Sequence, residues 1–300
     1  MVNIGRLITA MVTPFNTDGA VDYSQARRLA SSLINSGSDG LVISGTTGES
    51  PALSTSEKLR LFTEIKSELG DRGSVIAGTG SYSTSESIEL TREAESIGVD
   101  AVLLVVPYYN KPTQEGLYQH FKSIAESTSL PCILYNVPSR TITNLNWETT
   151  LRLSQIDNII GIKEASGDFD QIARILSAAP DNFKIWSGND SDTFGIMSMG
   201  GYGVISVASH LVGLQIKEMM ELLLNNNLAD SAREHLRLTP IFKGLFVVSN
   251  PIPVKFCINQ SGFQVGKPRL PLTEPDNATS KQLQAMMDGY KVDLLTTATL

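Results

Sequence analysis

Lys163 is the residue in this chain with the clearest chemical potential. It follows Ile159-Ile160-Gly161-Ile162, a run with the look of a buried strand. Burial disfavours the ammonium form and lowers the amine pKa. Moving a lysine from ~10.4 to about 7.5 costs about 4 kcal/mol. A fold tolerates that where a neutral amine serves as a nucleophile, because such an amine condenses with a ketone to form a Schiff base. The competing reading is a strand-end lysine that snorkels to water and pairs with Glu164. Glu164 itself reads as a structural partner. Tyr135 closes another apolar run, Cys132 to Tyr135. A phenol beside a Schiff base can pass protons as acid and base, and it can equally be a core tyrosine with a satisfied hydroxyl.

Other polar residues follow other apolar runs. Thr46 and Thr47 sit between Gly45 and Gly48. A turn of that kind either exposes backbone N–H groups to a carboxylate or is simply tight. Arg140 lies five positions beyond Tyr135. Its planar guanidinium suits a carboxylate, and a solvated surface arginine fits as well. Tyr108 and Tyr109 read as packing or interface aromatics. Asn189-Asp190-Ser191-Asp192 lacks the glycine and closing glutamate of a calcium loop, so a helix N-cap is the preferred reading. Gly200, Gly201 and Gly203 lie where many barrels bind phosphate, but no arginine or lysine stands beside them.

These residues need a scaffold that brings strand ends together. Eight short apolar runs recur along the chain: Arg6–Val12, Gly40–Ile43, Ser74–Ala77, Ala101–Val106, Cys132–Tyr135, Ile159–Ile162, Phe183–Trp186 and Gly203–Val207. They lack clear period-two alternation, as strands buried on both faces do. Amphipathic stretches separate them, including Tyr23–Asn35, Ser56–Leu69, Ser83–Ile97, Gln114–Ser127, Trp147–Ser154, Phe169–Ala178, Ser191–Met199 and Leu211–Leu224. Ser54 and Glu57 have capping-box spacing. The alternation predicts an α/β fold, a (β/α)₈ TIM barrel over residues 1–226, with an all-helical C-terminal domain over 227–300. Asn250-Pro251 reads there as a helix start, and Lys267–Pro275 as a loop. A doubly wound open sheet is the rival architecture. In a barrel, the active site lies at the carboxyl ends of the strands, which is where Lys163, Tyr135, Thr46, Thr47 and Arg140 fall.

Composition narrows the function. The chain has 300 residues, and 24 Lys and Arg against 31 Asp and Glu give a net charge of −7. No basic block is present, which argues against a nucleic-acid or anionic membrane partner. Small carboxylates remain suitable ligands for one arginine and a few N–H groups. The longest aliphatic run is far short of the ~20 residues a membrane helix needs, and the N-terminus shows no signal pattern. Cys132 and Cys257 form no disulfide framework, which suits the cytoplasm. The three histidines are scattered, so no metal site is expected. No GxSxG elbow or GxGxxG fingerprint occurs, so neither a serine hydrolase nor a nicotinamide or flavin cofactor is expected.

The strand-end motifs together are more specific than any one alone. Gly45-Thr46-Thr47-Gly48-Glu49-Ser50, Pro107-Tyr108-Tyr109-Asn110-Lys111-Pro112, Tyr135-Asn136-Val137-Pro138-Ser139-Arg140-Thr141, Gly161-Ile162-Lys163-Glu164 and Asn250-Pro251-Ile252-Pro253-Val254-Lys255 occur in order. Through them the chain resembles the 4-hydroxy-tetrahydrodipicolinate synthase (dihydrodipicolinate synthase) family over nearly its whole length. The resemblance implies a lyase of the diaminopimelate route to lysine that joins pyruvate and L-aspartate 4-semialdehyde. It implies Lys163 as the imine-forming residue and Tyr135 as proton donor and acceptor. Thr46 and Tyr109 would complete the relay, with Tyr109 reaching in from a neighbouring subunit. Thr47, the backbone of Ile205 and Gly188 would hold substrate, and Arg140 would bind the semialdehyde carboxylate. A cytoplasmic homotetramer, a dimer of dimers, is also implied. A lysine imine takes the place of the metal that other aldolases use as electron sink, so no cofactor is implied.

Two further points come from the resemblance. Relatives inhibited by lysine carry His and Asn contacts where this chain has Thr55, Lys58 and Tyr82, although Glu86 and Tyr108 fit the pattern. A cationic Lys58 would repel the effector's ammonium, so weak or absent feedback is expected. Related aldolases of the N-acetylneuraminate lyase and 2-keto-3-deoxygluconate aldolase type share the lysine and tyrosine. Arg140 in Ser-Arg-Thr and the paired threonines favour the synthase over these. The same side chains argue against a catalytically silent barrel kept as a binding module.

Overall fold

A computed structural model describes residues 4–295. Its strands and helices follow in alternation: β1 (Leu7–Ala10), α1 (Tyr23–Asn35), β2 (Gly40–Ile43), α2 (Thr55–Leu69), β3 (Ser74–Gly78), α3 (Thr84–Ile97), β4 (Ala101–Val105) and α4 (Gln114–Ala125). Next come β5 (Cys132–Asn136), α5 (Pro138–Thr141), α6 (Trp147–Leu153), β6 (Ile159–Glu164), α7 (Phe169–Ala178), β7 (Lys184–Ser187), α8 (Thr193–Ser198), β8 (Gly203–Ser206) and α9 (Ser209–Leu224). Helices α10 (Leu228–Gly244), α11 (Ile252–Gln260) and α12 (Asn277–Met287) complete the chain. The eight strands are parallel and close in sequence order, with β8 pairing back onto β1. The fold is therefore a (β/α)₈ barrel followed by C-terminal helices, and the open doubly wound sheet is excluded.

The apolar runs lack alternation because both strand faces are covered. Ile8, Val42, Ile76, Leu103, Ile133, Trp186 and Ile205 form the barrel interior. Their strand neighbours Leu41, Val75, Val102, Leu134, Ile162, Ile185 and Val204 pack outward with the helices. A strand facing apolar matter on both sides has no polar face to reveal its period.

The same alternation fixes what the strand ends present. Lys163 shares the inward face of β6 with Gly161, two positions away. At Gly161, a side chain would come within 2.1 Å of the Lys184 carbonyl oxygen and 2.8 Å of the Trp186 ring. Glycine there lets Trp186, the register partner of Lys163, fill the interior; the indole Nε1 donates to Gly5 O at 3.0 Å. On α2, Ser54 and Glu57 do form a reciprocal capping box.

Several expected bounds move. The first strand is shorter than Arg6–Val12, because ladder pairing with β2 and β8 involves only Leu7 to Ala10. The helix expected over Ser191–Met199 is instead a 3₁₀ turn, Asp190–Asp192, followed by α8. The last barrel helix starts earlier than Leu211 and kinks at Val212, where φ is −130° and ψ 40°. Asn225 to Asn227 lie between α9 and α10. Of the C-terminal stretch Leu294 to Leu300, residues 296–300 lie outside the described residues. No helix among the described residues is long and apolar enough to cross a membrane.

Candidate active site

Tyr135 and Lys163 are paired in register on neighbouring strands, with side chains on the inner face. Lys163 is only 5% exposed, and its Nζ lies 4.4 Å from the centre of the Tyr135 ring. Burial lowers the amine to about 8; Asp190 opposes this shift and Arg140 adds to it. Burial also raises the Tyr135 phenol, against the pull of Arg140 and a side-chain hydrogen bond with Thr46. Amine, phenol and threonine hydroxyl thus form one short series inside the barrel mouth. Glu164 is on the opposite strand face. Its carboxylate accepts from Asn136 Nδ2 at 3.0 Å, Ser166 N at 2.8 Å and Gln171 Nε2 at 3.1 Å. The reading of Lys163 as a snorkelling partner of Glu164 is overturned by this alternation.

The turn after β2 carries Thr46 and Thr47. Ser44 and Glu49 flank it with left-handed φ of 58° each, a conformation non-glycine residues adopt only when surroundings hold it. The Thr13 hydroxyl donates to Gly48 O at 2.6 Å. Glu49, buried, accepts from Lys255 Nζ at 2.9 Å and from Arg269 N at 2.8 Å. Arg140 stands on the short helix α5, and its Nη2 donates to Asn250 O at 3.2 Å. A cavity of about 220 Å³ opens beside this group, lined by Gly45, Thr46, Tyr108, Tyr135, Val137 and Arg140 among others.

Thr47 is buried at the edge of the turn, and its Oγ1 accepts from Asn250 Nδ2 at 2.9 Å. Ile205 is an inner residue of β8. Gly188 follows β7 where its amide donates to Glu164 O at 2.7 Å; a Cβ there would lie 2.5 Å from Ala165 Cβ, so this position packs two strands closely. Tyr109 is not brought to the group within this chain. It is 94% exposed, with φ of 70°.

The Asp190 side chain is a correction. The Asn189 to Asp192 run does hold N-cap positions, Asn189 for the turn Asp190–Asp192 and Asp192 for α8, but neither makes a side-chain cap bond, and Asp190 itself is not a cap of either. It turns inward instead and is buried. Its carboxylate accepts from the Ser206 hydroxyl, from Val207 N at 3.1 Å and from Ala208 N at 3.0 Å. It thereby fixes the segment just after Ile205 and supplies a negative charge felt at Lys163.

A family model described as the dihydrodipicolinate synthetase family matches residues 3–289. The chain belongs to this family. It is 61% identical over 294 residues to 4-hydroxy-tetrahydrodipicolinate synthase of Dehalococcoides mccartyi strain CBDB1, covering 98% of this chain and 99% of the relative. It superposes on a dihydrodipicolinate synthase of Bacillus anthracis with a TM-score of 0.94 at 43% identity, covering 96% of this chain and 99% of that one. A structure of the Cyanidioschyzon merolae enzyme with lysine bound is similar at 44% identity and a TM-score of 0.94, covering 95% and 98%.

Of the residues linked above to lysine feedback, Lys58, Tyr82, Glu86 and Tyr108 act on one another in pairs. Tyr82 and Tyr108 meet edge to face at 5.3 Å. Glu86 acts electrostatically on Lys58, whose amine is pulled down by burial. Sequence reasoning missed a second set. Asp190, Asn250, Glu49 and Lys255 are all buried polar residues around the strand ends. The last three sit inside motifs quoted for the resemblance, yet their pairings join positions more than 200 residues apart, and no local pattern encodes them.

Proposed function

We propose that this chain condenses pyruvate with L-aspartate 4-semialdehyde to give 4-hydroxy-tetrahydrodipicolinate, in the diaminopimelate route to lysine. The Lys163 amine adds to the pyruvate C2 carbonyl and water leaves, giving an iminium. A C3 proton is removed to form the enamine, whose C3 attacks the semialdehyde's aldehyde carbon. The aldehyde oxygen takes up a proton. The substrate's own amine then attacks C2, displaces Lys163 and closes the ring. The observation that carries this reading is a buried amine, lowered to about 8, that makes no hydrogen bond among the described residues and lies 4.4 Å from the centre of the Tyr135 ring.

Tyr135 exchanges the protons, because an acid–base group must lie within reach of the reacting atoms. Thr46 continues its hydrogen-bond series. Tyr109, too exposed to act in its own chain, completes the relay from a neighbouring subunit of a homotetramer. Thr47, Gly188 and the backbone of Ile205 hold pyruvate. Arg140 pairs with the semialdehyde carboxylate, for which a planar guanidinium is suited. The compartment proposed is the cytoplasm. Neither nucleic acid nor membrane is a proposed partner.

The test is turnover. Purified protein given pyruvate and L-aspartate 4-semialdehyde should form cyclic product, and should leave N-acetylneuraminate and 2-keto-3-deoxygluconate essentially uncleaved. Faster turnover of either sugar acid would replace the synthase with a sugar-acid aldolase.

A further inference from the structure

Asn250 connects two of the proposed substrate-binding side chains, Thr47 and Arg140. It is 5% exposed and precedes α11. Its Nδ2 donates to Thr47 Oγ1 at 2.9 Å, and its backbone carbonyl accepts from Arg140 Nη2 at 3.2 Å. Its Oδ1 is buried without a partner among the described residues. A threonine hydroxyl has one hydrogen to give and two lone pairs. With an amide N–H on one lone pair, the Thr47 hydrogen must point away from Asn250. No hydrogen bond given by that hydroxyl is found among the described residues, so its donor capacity is unspent inside the chain.

We infer that Asn250 is a positioning residue: its side-chain amide fixes the polarity of the Thr47 hydroxyl, so that Thr47 donates to the carboxylate of bound pyruvate. The inference rests on the proposed role of Thr47. The anchor is stiff because Asn250 leads directly into α11, whose Lys255 is tied to Glu49 in the same turn as Thr47. A carboxylate ligand accepts only, so a hydroxyl with fixed donor direction serves it better than one free to turn. The opposite amide orientation would have Thr47 donate inward to Oδ1, and its hydrogen would then be lost to substrate.

Aspartate separates the two orientations, since it is isosteric and ionised offers only acceptors. The readout is the half-saturating pyruvate concentration for borohydride inactivation at pH 8, with KM for each substrate measured in parallel. N250D is expected to raise the pyruvate value about tenfold or more, as loss of a hydrogen bond to a charged group does. N250A, which leaves the Thr47 hydroxyl free to rotate, should raise it only about two- to fivefold. KM for the semialdehyde should hold within about twofold in N250A, because the backbone carbonyl on Arg140 persists. In a T47V background, N250A should add nothing. T47V with the parent's pyruvate value would remove the role of Thr47 and this inference with it. T47V impaired but N250D unimpaired would overturn the inference alone. If N250D does not fold, the N250A and T47V cycle decides: additive effects contradict the inference and coupled ones support it.

Discussion

Two lysines in this molecule are buried to nearly the same degree and answer to it differently. Lys163, at the end of β6, and Lys255, in α11, are each lowered to about 8 by burial. Each amine sits over an aromatic ring, Tyr135 at 4.4 Å and Phe15 at 4.2 Å. Lys255 spends its three hydrogens on Thr13 O at 3.0 Å, Glu49 Oε1 at 2.9 Å and Lys267 O at 3.1 Å. Lys163 makes no comparable bond among the described residues, and Asp190, whose charge acts on it, is itself held by Ser206, Val207 and Ala208. Burial alone therefore does not mark a nucleophile. An amine whose protons are already engaged is a structural tie, whereas one left with a lone pair to offer can attack a carbonyl.

Substitutions should separate the two roles. K163A is expected to lower turnover by about 10⁴-fold or more while leaving urea unfolding close to that of the parent. Y135F should follow, losing about 10²- to 10⁴-fold in kcat if the phenol moves protons; equal turnover in Y135F would assign the proton transfers elsewhere. K255M should do the reverse of K163A. Removing one partner strands buried Glu49 and should cost about 3–5 kcal/mol of stability, read as a lower urea midpoint. The double variant E49Q/K255M should recover part of that loss, and a K255M protein as stable as the parent would show that the pair does not hold the turn.

Finer effects concern charge around Lys163. With the amine at about 8, its neutral fraction grows as pH rises. The pyruvate trapping rate should therefore climb below about pH 8 and level off above it. Arg140 helps hold the amine low, so R140L should move that midpoint upward, and an unmoved midpoint would deny Arg140 this influence. The smallest expected effect is that of added L-lysine. Lys58 beside Glu86 should make micromolar lysine a poor inhibitor of turnover, and strong inhibition at that concentration would contradict the argument from Lys58.

The barrel and the lysine–tyrosine pair were legible in the sequence for local reasons. Each strand is a short aliphatic run, and Lys163 and Tyr135 close or follow theirs directly, whereas Thr46, Thr47 and Arg140 lie in the loops just beyond. Lys163 and Tyr135 end up adjacent because both close inward-facing rows of neighbouring strands. The Asn-Asp-Ser-Asp run supplies the N-cap positions its chemistry suggests, but the inward turn of Asp190 is not legible locally, because its partners Ser206 to Ala208 arrive from the end of β8. Asn250 and Lys255 were visible as motif residues, but what they hold, Thr47 and Glu49, lies at the other end of the chain. Tyr109 is the converse case, a residue whose expected place depends on a surface beyond this chain.

The most direct measurement is reduction trapping. Protein incubated with pyruvate and sodium borohydride, then digested and mapped by mass, should carry a single reduced pyruvate adduct on the peptide containing Lys163. None should appear on the Lys255 peptide or on the K163A variant. A Lys163 peptide without adduct after full incubation, in protein that still makes product, would contradict the claim that this amine is the nucleophile.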